Sequence, residues 1–168
     1  MKRRILLSIV VCVCFLAVGS TAFGQKAHPK TPKAKAAPSF DAKLAARVGA
    51  DELGMRNFVL CILKTGPNDA QIVDEKKRGE IFAGHFANMK RLAAEGKLLV
   101  AGPFGKNDRG YRGIFVLNVT TAEEAQALVE TDPVVSSGIM TPELTPLYAS
   151  AALLLVNDLH SKIAKKNL

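Results

Sequence analysis

Residues 84–104, GHFANMKRLAAEGKLLVAGPF, constrain the fold of this chain more than any other stretch. At helical spacing, Ile81, Phe82, Phe86, Met89, Leu92 and Ala93 fall on one apolar arc, while Glu80, Lys90, Arg91 and Glu95 fall outside it. His85 falls inside the arc. Gly96 supplies a helix stop, and Lys97–Gly102 follows at once as an apolar strand closed by Gly-Pro. A helix that turns through one glycine into a strand is half of a βαβ unit.

The other half lies upstream. Phe58–Leu63 is continuously apolar within Asn57–Lys64, and Thr-Gly-Pro-Asn68 bounds it, so it reads as a strand covered on both faces. The helical pattern then runs from Asp69 to Gly96. Beyond the second strand, residues 103–112 form a Gly/Pro-containing connection with Lys106, Arg109 and Arg112, and Gly113–Val119 is the third strand. Thr120 with Glu123, or Thr121 with Glu124, has capping-box spacing for a helix through Glu130. Asp132 caps one further turn with Pro133 in the permitted first position, and Gly138 closes it. Ile139–Tyr148 is a last strand, on an edge or broken, because Pro142 and Pro146 cannot donate to a ladder.

This order specifies an α+β, ferredoxin-like split βαβ domain with an antiparallel sheet and both helices on one face. Strands that are apolar on both faces need a cover for the second one. The economical cover is a second copy, giving a homodimeric α/β barrel. Asp41–Val48, capped by Ser39 or Asp41, is a short leading helix. Residues 149–168 form a C-terminal helix with Ala152, Leu155, Val156, Leu159 and Ile163 on one stripe, packed on the domain or across the dimer. The whole of residues 41–148 is thus one α+β domain.

The N-terminus carries a different signal. Lys2–Arg4, an apolar run from Ile5 to Val18, and small residues Ala22 and Gly24 make residues 1–24 a secretory signal peptide cut before Gln25. The run is short of the ~20 residues a membrane span needs, so no transmembrane segment is expected after cleavage. Residues 25–40 then read as a flexible Lys/Pro/Ala tether that includes His28. The expected location is periplasmic or secreted.

Of the 23 Lys and Arg residues, seven precede Asp41 and no acid does, which leaves 16 against the 15 acids of the folded part. The overall charge of +8 therefore belongs to the leader and tether, and a nucleic-acid footprint is not expected. Cys12 and Cys14 leave with the signal, so Cys61 alone remains and reads as a small core residue. Scattered histidines, His160 of the last helix among them, give no metal-ligand spacing, and no cofactor loop appears.

The blocks His85–Phe104, Gly113–Leu117, Glu123–Val129 and Asp132–Gly138, in this order, resemble the YCII-related (YciI-like) domain over about Asn57 to Tyr148. The resemblance implies a dimeric ferredoxin-like barrel and a pocket holding His85 and Asp132. It also implies a chemistry, since one relative is a dehydrochlorinase on a chlorinated hydroxyquinol. His85 and Asp132 would then act as an acid/base pair on a small molecule in a lyase or isomerase type of step. From the residues alone, His85 is equally a core histidine with one hydrogen bond and Asp132 a plain helix cap. Lys106, Arg109 and Arg112 are candidates for clamping an anionic ligand, or else a solvated hairpin. The alternative function is a non-catalytic ligand-binding, protein-interaction or structural module of the cell envelope.

Overall fold

A computed structural model describes residues 39–166 of the chain; the residues read above as a signal peptide, and nearly all of those read as a tether, fall outside the described residues. The elements are α1 (Ala42–Arg47), β1 (Met55–Thr65), α2 (Glu75–Ala94), β2 (Leu98–Pro103), β3 (Tyr111–Leu117), α3 (Ala122–Val129), α4 (Pro133–Ser136), β4 (Met140–Ser150), a 3-10 turn (Ala151–Leu155) and α5 (Val156–Ile163). Four strands form one antiparallel sheet in the order β2-β3-β1-β4, the ferredoxin-like arrangement. Among the described residues no helix is long and apolar enough to cross a membrane.

Alternation along β1 divides the core. Val59, Cys61 and Leu63 join Phe115 and Leu117 of β3, Leu92 of α2, and Ala125 and Val129 of α3 in the main cluster, so both long helices lie on this face. Phe58, Leu99 and Val116 form a smaller cluster on the opposite face. There the C-terminal segment differs from the expected continuous helix. β4 stays paired with β1 as far as Ser150 opposite Met55, and Ala151 N–H bonds to Gly54 O at 2.9 Å, so strand pairing consumes the start of that helix. The 3-10 turn then folds Leu153 and Leu154 onto Phe58, Leu99 and Val116. The chain itself thus covers part of the face that the sequence argument left for a second copy, whereas Leu60, Ile62, Ile114 and Leu147 remain only half-buried.

β4 is an unbroken edge strand. Pro142 and Pro146 pair with Leu63 and Val59, and their spacing of four points both missing N–H groups to the same, outer side of the strand. α2 begins six residues later than its apolar pattern suggests, because Asp74 caps it by accepting from Lys77 N–H at 2.7 Å. The intervening turn is tied down from two sides. Asn68 donates its amide to Ser137 O at 2.9 Å, and Gly66 N–H bonds to Ile139 O at 2.8 Å, which fixes the junction of α4 and β4 against the end of β1. Asp69 accepts from Arg78 of α2 and, at 3.3 Å, from Arg112 of β3.

These contacts, the Arg78 hydrogen bond foremost, hold the Asp69 carboxyl below its ordinary value of 3.8. A carboxyl depressed in the folded state contributes stability that is complete above its ordinary value and is lost as pH falls through the depressed one. The stability gap between wild type and Asp69→Asn, measured by urea denaturation, is therefore expected to be open at pH 7 and to close below about pH 4. A gap that stays constant with pH would show that the carboxylate charge contributes nothing.

Candidate functional site

His85 lies in the third turn of α2, on the face turned toward the sheet, and is 8% exposed. Asp132 is the N-cap of α4 and is fully buried. Its carboxylate is divided between two tasks. Oδ1 accepts from Val134 N–H at 3.1 Å, which caps α4, and Oδ2 lies 2.7 Å from His85 Nδ1. Sequence reasoning proposed both roles for Asp132 as alternatives, and the geometry combines them.

Two small features permit the approach. Pro133 occupies the first helical position, where its missing N–H is harmless, and Gly84 gives its ring room. A Cβ on Gly84 would stand 2.8 Å from Pro133 Cγ, closer than carbon atoms pack. The lack of a side chain next to His85 thus sets how near α4 comes to α2.

The imidazole sits among aromatic rings. Phe115 of β3 stacks at 6.0 Å, Phe82 meets it edge-on at 6.3 Å, and Phe86 tilts against it at 5.5 Å. When the Asp132 carboxylate accepts this bond, Nδ1 carries the proton and Nε2 keeps its lone pair. Behind the pair lies Cys61. Burial, reinforced by the negative charge of Asp132, pushes its thiol up to about 12. At neutral pH it is a protonated core group, not a nucleophile.

A second polar group, missed by the sequence reading, steadies the residue before Asp132. Arg91 Nη2 donates to Asn88 Oδ1 at 2.7 Å and to Thr131 Oγ at 3.0 Å, and the Thr131 hydroxyl donates to Leu128 O at 2.6 Å. Asn88 is buried, and its Nδ2 has no partner among the described residues. The signal was present in the spacing: Asn88 and Arg91 follow His85 at successive intervals of three along the same side of α2.

The cationic hairpin is organised differently from the pair. Asn107 braces it, donating to Gly105 O and Tyr111 O at 2.8 Å. Arg112 is engaged by Asp69, the Arg109 guanidinium lies 5.9 Å from the Tyr111 ring, and Lys106 is exposed. The structure brings His85 and Asp132 together and leaves these three cations spread along the hairpin. His160 is exposed on α5, and His28 lies outside the described residues. Among the described residues, no group of three His, Cys, Asp or Glu side chains is placed to hold a metal ion.

Comparison with known proteins adds family context to this geometry. The family model of the YCII-related domain matches residues 57–144. The uncharacterized protein YjpA of Bacillus subtilis (strain 168) is 38% identical over 71 residues, which cover 42% of this chain and 78% of YjpA. Among solved structures, the 5-chloro-2-hydroxyhydroquinone dehydrochlorinase TftG of Burkholderia phenoliruptrix AC1100, in complex with 2,5-dihydroxybenzoquinone, is 23% identical. That match covers 52% of this chain and 90% of TftG with a TM-score of 0.38, a likeness too distant to carry ligand or chemistry across.

Gly84→Ala is expected to drive the Pro133 ring back and lengthen the His85–Asp132 bond, at a cost of roughly 1–3 kcal/mol for overpacking. Nitrogen NMR of the His85 ring checks this, since a weakened bond mixes the two tautomers. An unchanged spectrum would mean that the Pro133 ring yields without moving α4.

Proposed function

This chain belongs to the YCII-related domain family, and on that footing we propose that it is a small-molecule enzyme in which His85 and Asp132 move protons in a lyase or isomerase type of step. The observation that carries the proposal is the 2.7 Å bond between His85 Nδ1 and a fully buried Asp132 carboxylate. The carboxylate fixes the tautomer and balances the imidazolium that forms when Nε2 takes a proton. In an isomerisation the same Nε2–H returns the proton to another atom of the substrate. In an elimination it keeps the proton until the leaving group has departed with the electron pair. Phenylalanine rings around the imidazole suit a flat, cyclic or aromatic substrate.

The test follows deuterium entering ring C–H positions of a panel of hydroxylated aromatic and cyclic ketone compounds in D2O. Wild type is expected to accelerate exchange in at least one compound, and His85→Gln to lose that acceleration by about 10²–10⁴-fold. Equal exchange in the two proteins would remove the dyad. Unchanged compounds that nevertheless co-purify would favour the rival reading, a non-catalytic binding module.

Two further parts of the proposal concern the whole chain. The leader-like residues 1–24 support export with cleavage before Gln25, and the half-buried apolar surface of Leu60, Ile62, Ile114 and Leu147 supports a homodimer through the second sheet face. Native mass spectrometry of the exported protein is expected to give twice the mass of a chain that starts at Gln25. A monomer mass refutes the dimer, and retention of residues 1–24 refutes the cleavage.

A further inference from the structure

We propose that the groove between α2, the free edge of β2 and α5 binds a small aliphatic carboxylate, with Lys90 and His160 facing the carboxylate and the apolar floor receiving the chain. The groove holds about 470 Å³, within the ~300–1,000 Å³ typical of ligand sites. Leu98 to Ala101 form its floor, Phe86, Met89 and Ala93 one wall, and Val156 the apolar part of the other.

The polar groups on the rim decide the ligand's charge. Asn157 is already spent, since its amide donates to Leu98 O at 2.8 Å and clamps α5 to the edge of β2. The Ser161 hydroxyl donates to Asp158 O at 2.9 Å. Lys90 and His160, both exposed, come from opposite walls, and among the described residues no acidic side chain lines the groove. An apolar trough with two nitrogen donors and no acid is complementary to a hydrocarbon that ends in an anion.

Shape and exposure point the same way. From Phe86 to Ala94, α2 advances about 12 Å, and β2 runs extended beside it, so the trough is long rather than round. A linear chain fills it better than a compact ring. Phe86 shows why the site has something to gain. Its spacing places it in the apolar arc of α2, yet it is 54% exposed in the groove wall, and a bound chain would cover that surface. The wall formed by α5 lies beyond the family-matched residues 57–144, while the floor and the α2 wall lie within them. Neither His85 nor Asp132 lines it; Phe86 is shared with the surroundings of the imidazole, so the test uses Lys90 and Ala94, which do not touch His85.

Isothermal titration of the full chain with sodium decanoate, below its micelle-forming concentration, tests the site. One saturable site per chain is expected. Lys90→Glu should weaken it at least about tenfold, equivalent to ~1.4 kcal/mol, and Ala94→Trp, which fills the trough from an exposed position, should abolish it. Both substitutions are on the helix surface, and an unchanged melting temperature verifies that the fold survives. The proposal is overturned by the absence of saturable heat, or by equal affinity in all three proteins. Self-association that Ala94→Trp breaks and decanoate does not compete with would overturn it in favour of a second copy of the chain.

Discussion

The divided carboxylate of Asp132 is the interaction on which the rest of the site depends. One oxygen ends the backbone donors of α4 and the other takes the His85 ring, so a single side chain joins α2 to the turn before β4. Burial separates this contact from the exposed ion pairs of the surface. Pairs such as Lys64–Glu143 and Arg91–Glu95 are about half exposed and contribute at most about 1 kcal/mol. Removing the His85 donor would leave a buried carboxylate oxygen without its hydrogen bond, at a cost of about 1–3 kcal/mol or more. Yet an apolar replacement of both partners in such a place is often neutral or stabilising. Packing alone therefore does not account for the polar pair, in which Asp132 also caps α4.

Much of the fold was legible because local signals agreed with one another. The capping box at Thr121 and Glu124, the Asp132-Pro133 start and the glycine stops at Gly96 and Gly138 all fix backbone geometry within a few residues. The period of α2 likewise placed His85 in the interior. What the period does not contain is the partner on the far side. Phe86 belongs to the apolar arc by angle but faces an open groove, because no element packs over that part of the helix. The onset of α2 was misplaced for a related reason. Asp69 and Ile72 continue the helical pattern in sequence, while their N–H groups close a separate turn onto Gly66 and Asn68 and their oxygens accept from Arg78 and Arg112.

The candidate site was legible only in pieces. Asp132 could be read as a cap from its neighbour Pro133, and His85 as buried from its spacing, but their meeting depends on an ordinary-looking glycine. The space left at Gly84 has no sequence signature apart from the contact it permits with Pro133. The Asn88–Arg91–Thr131 group was hidden for the opposite reason, since polar residues on a helix usually face water. The C-terminal segment shows the third kind of failure. Its helical stripe was real for α5, whereas the preceding residues were captured by β1 as strand and by the sheet's second face as a 3-10 turn.

The position of Cys61 has a consequence for how the chain survives oxidants. Its sulfur is sealed between the sheet and the helices and is protonated at neutral pH, so the folded molecule offers no thiolate for exchange with another chain. Only molecules that open expose it. Intermolecular crosslinking is then limited by the unfolded fraction, and the packing of the core acts as a redox shield for a protein that has no second cysteine among its described residues to trap the first.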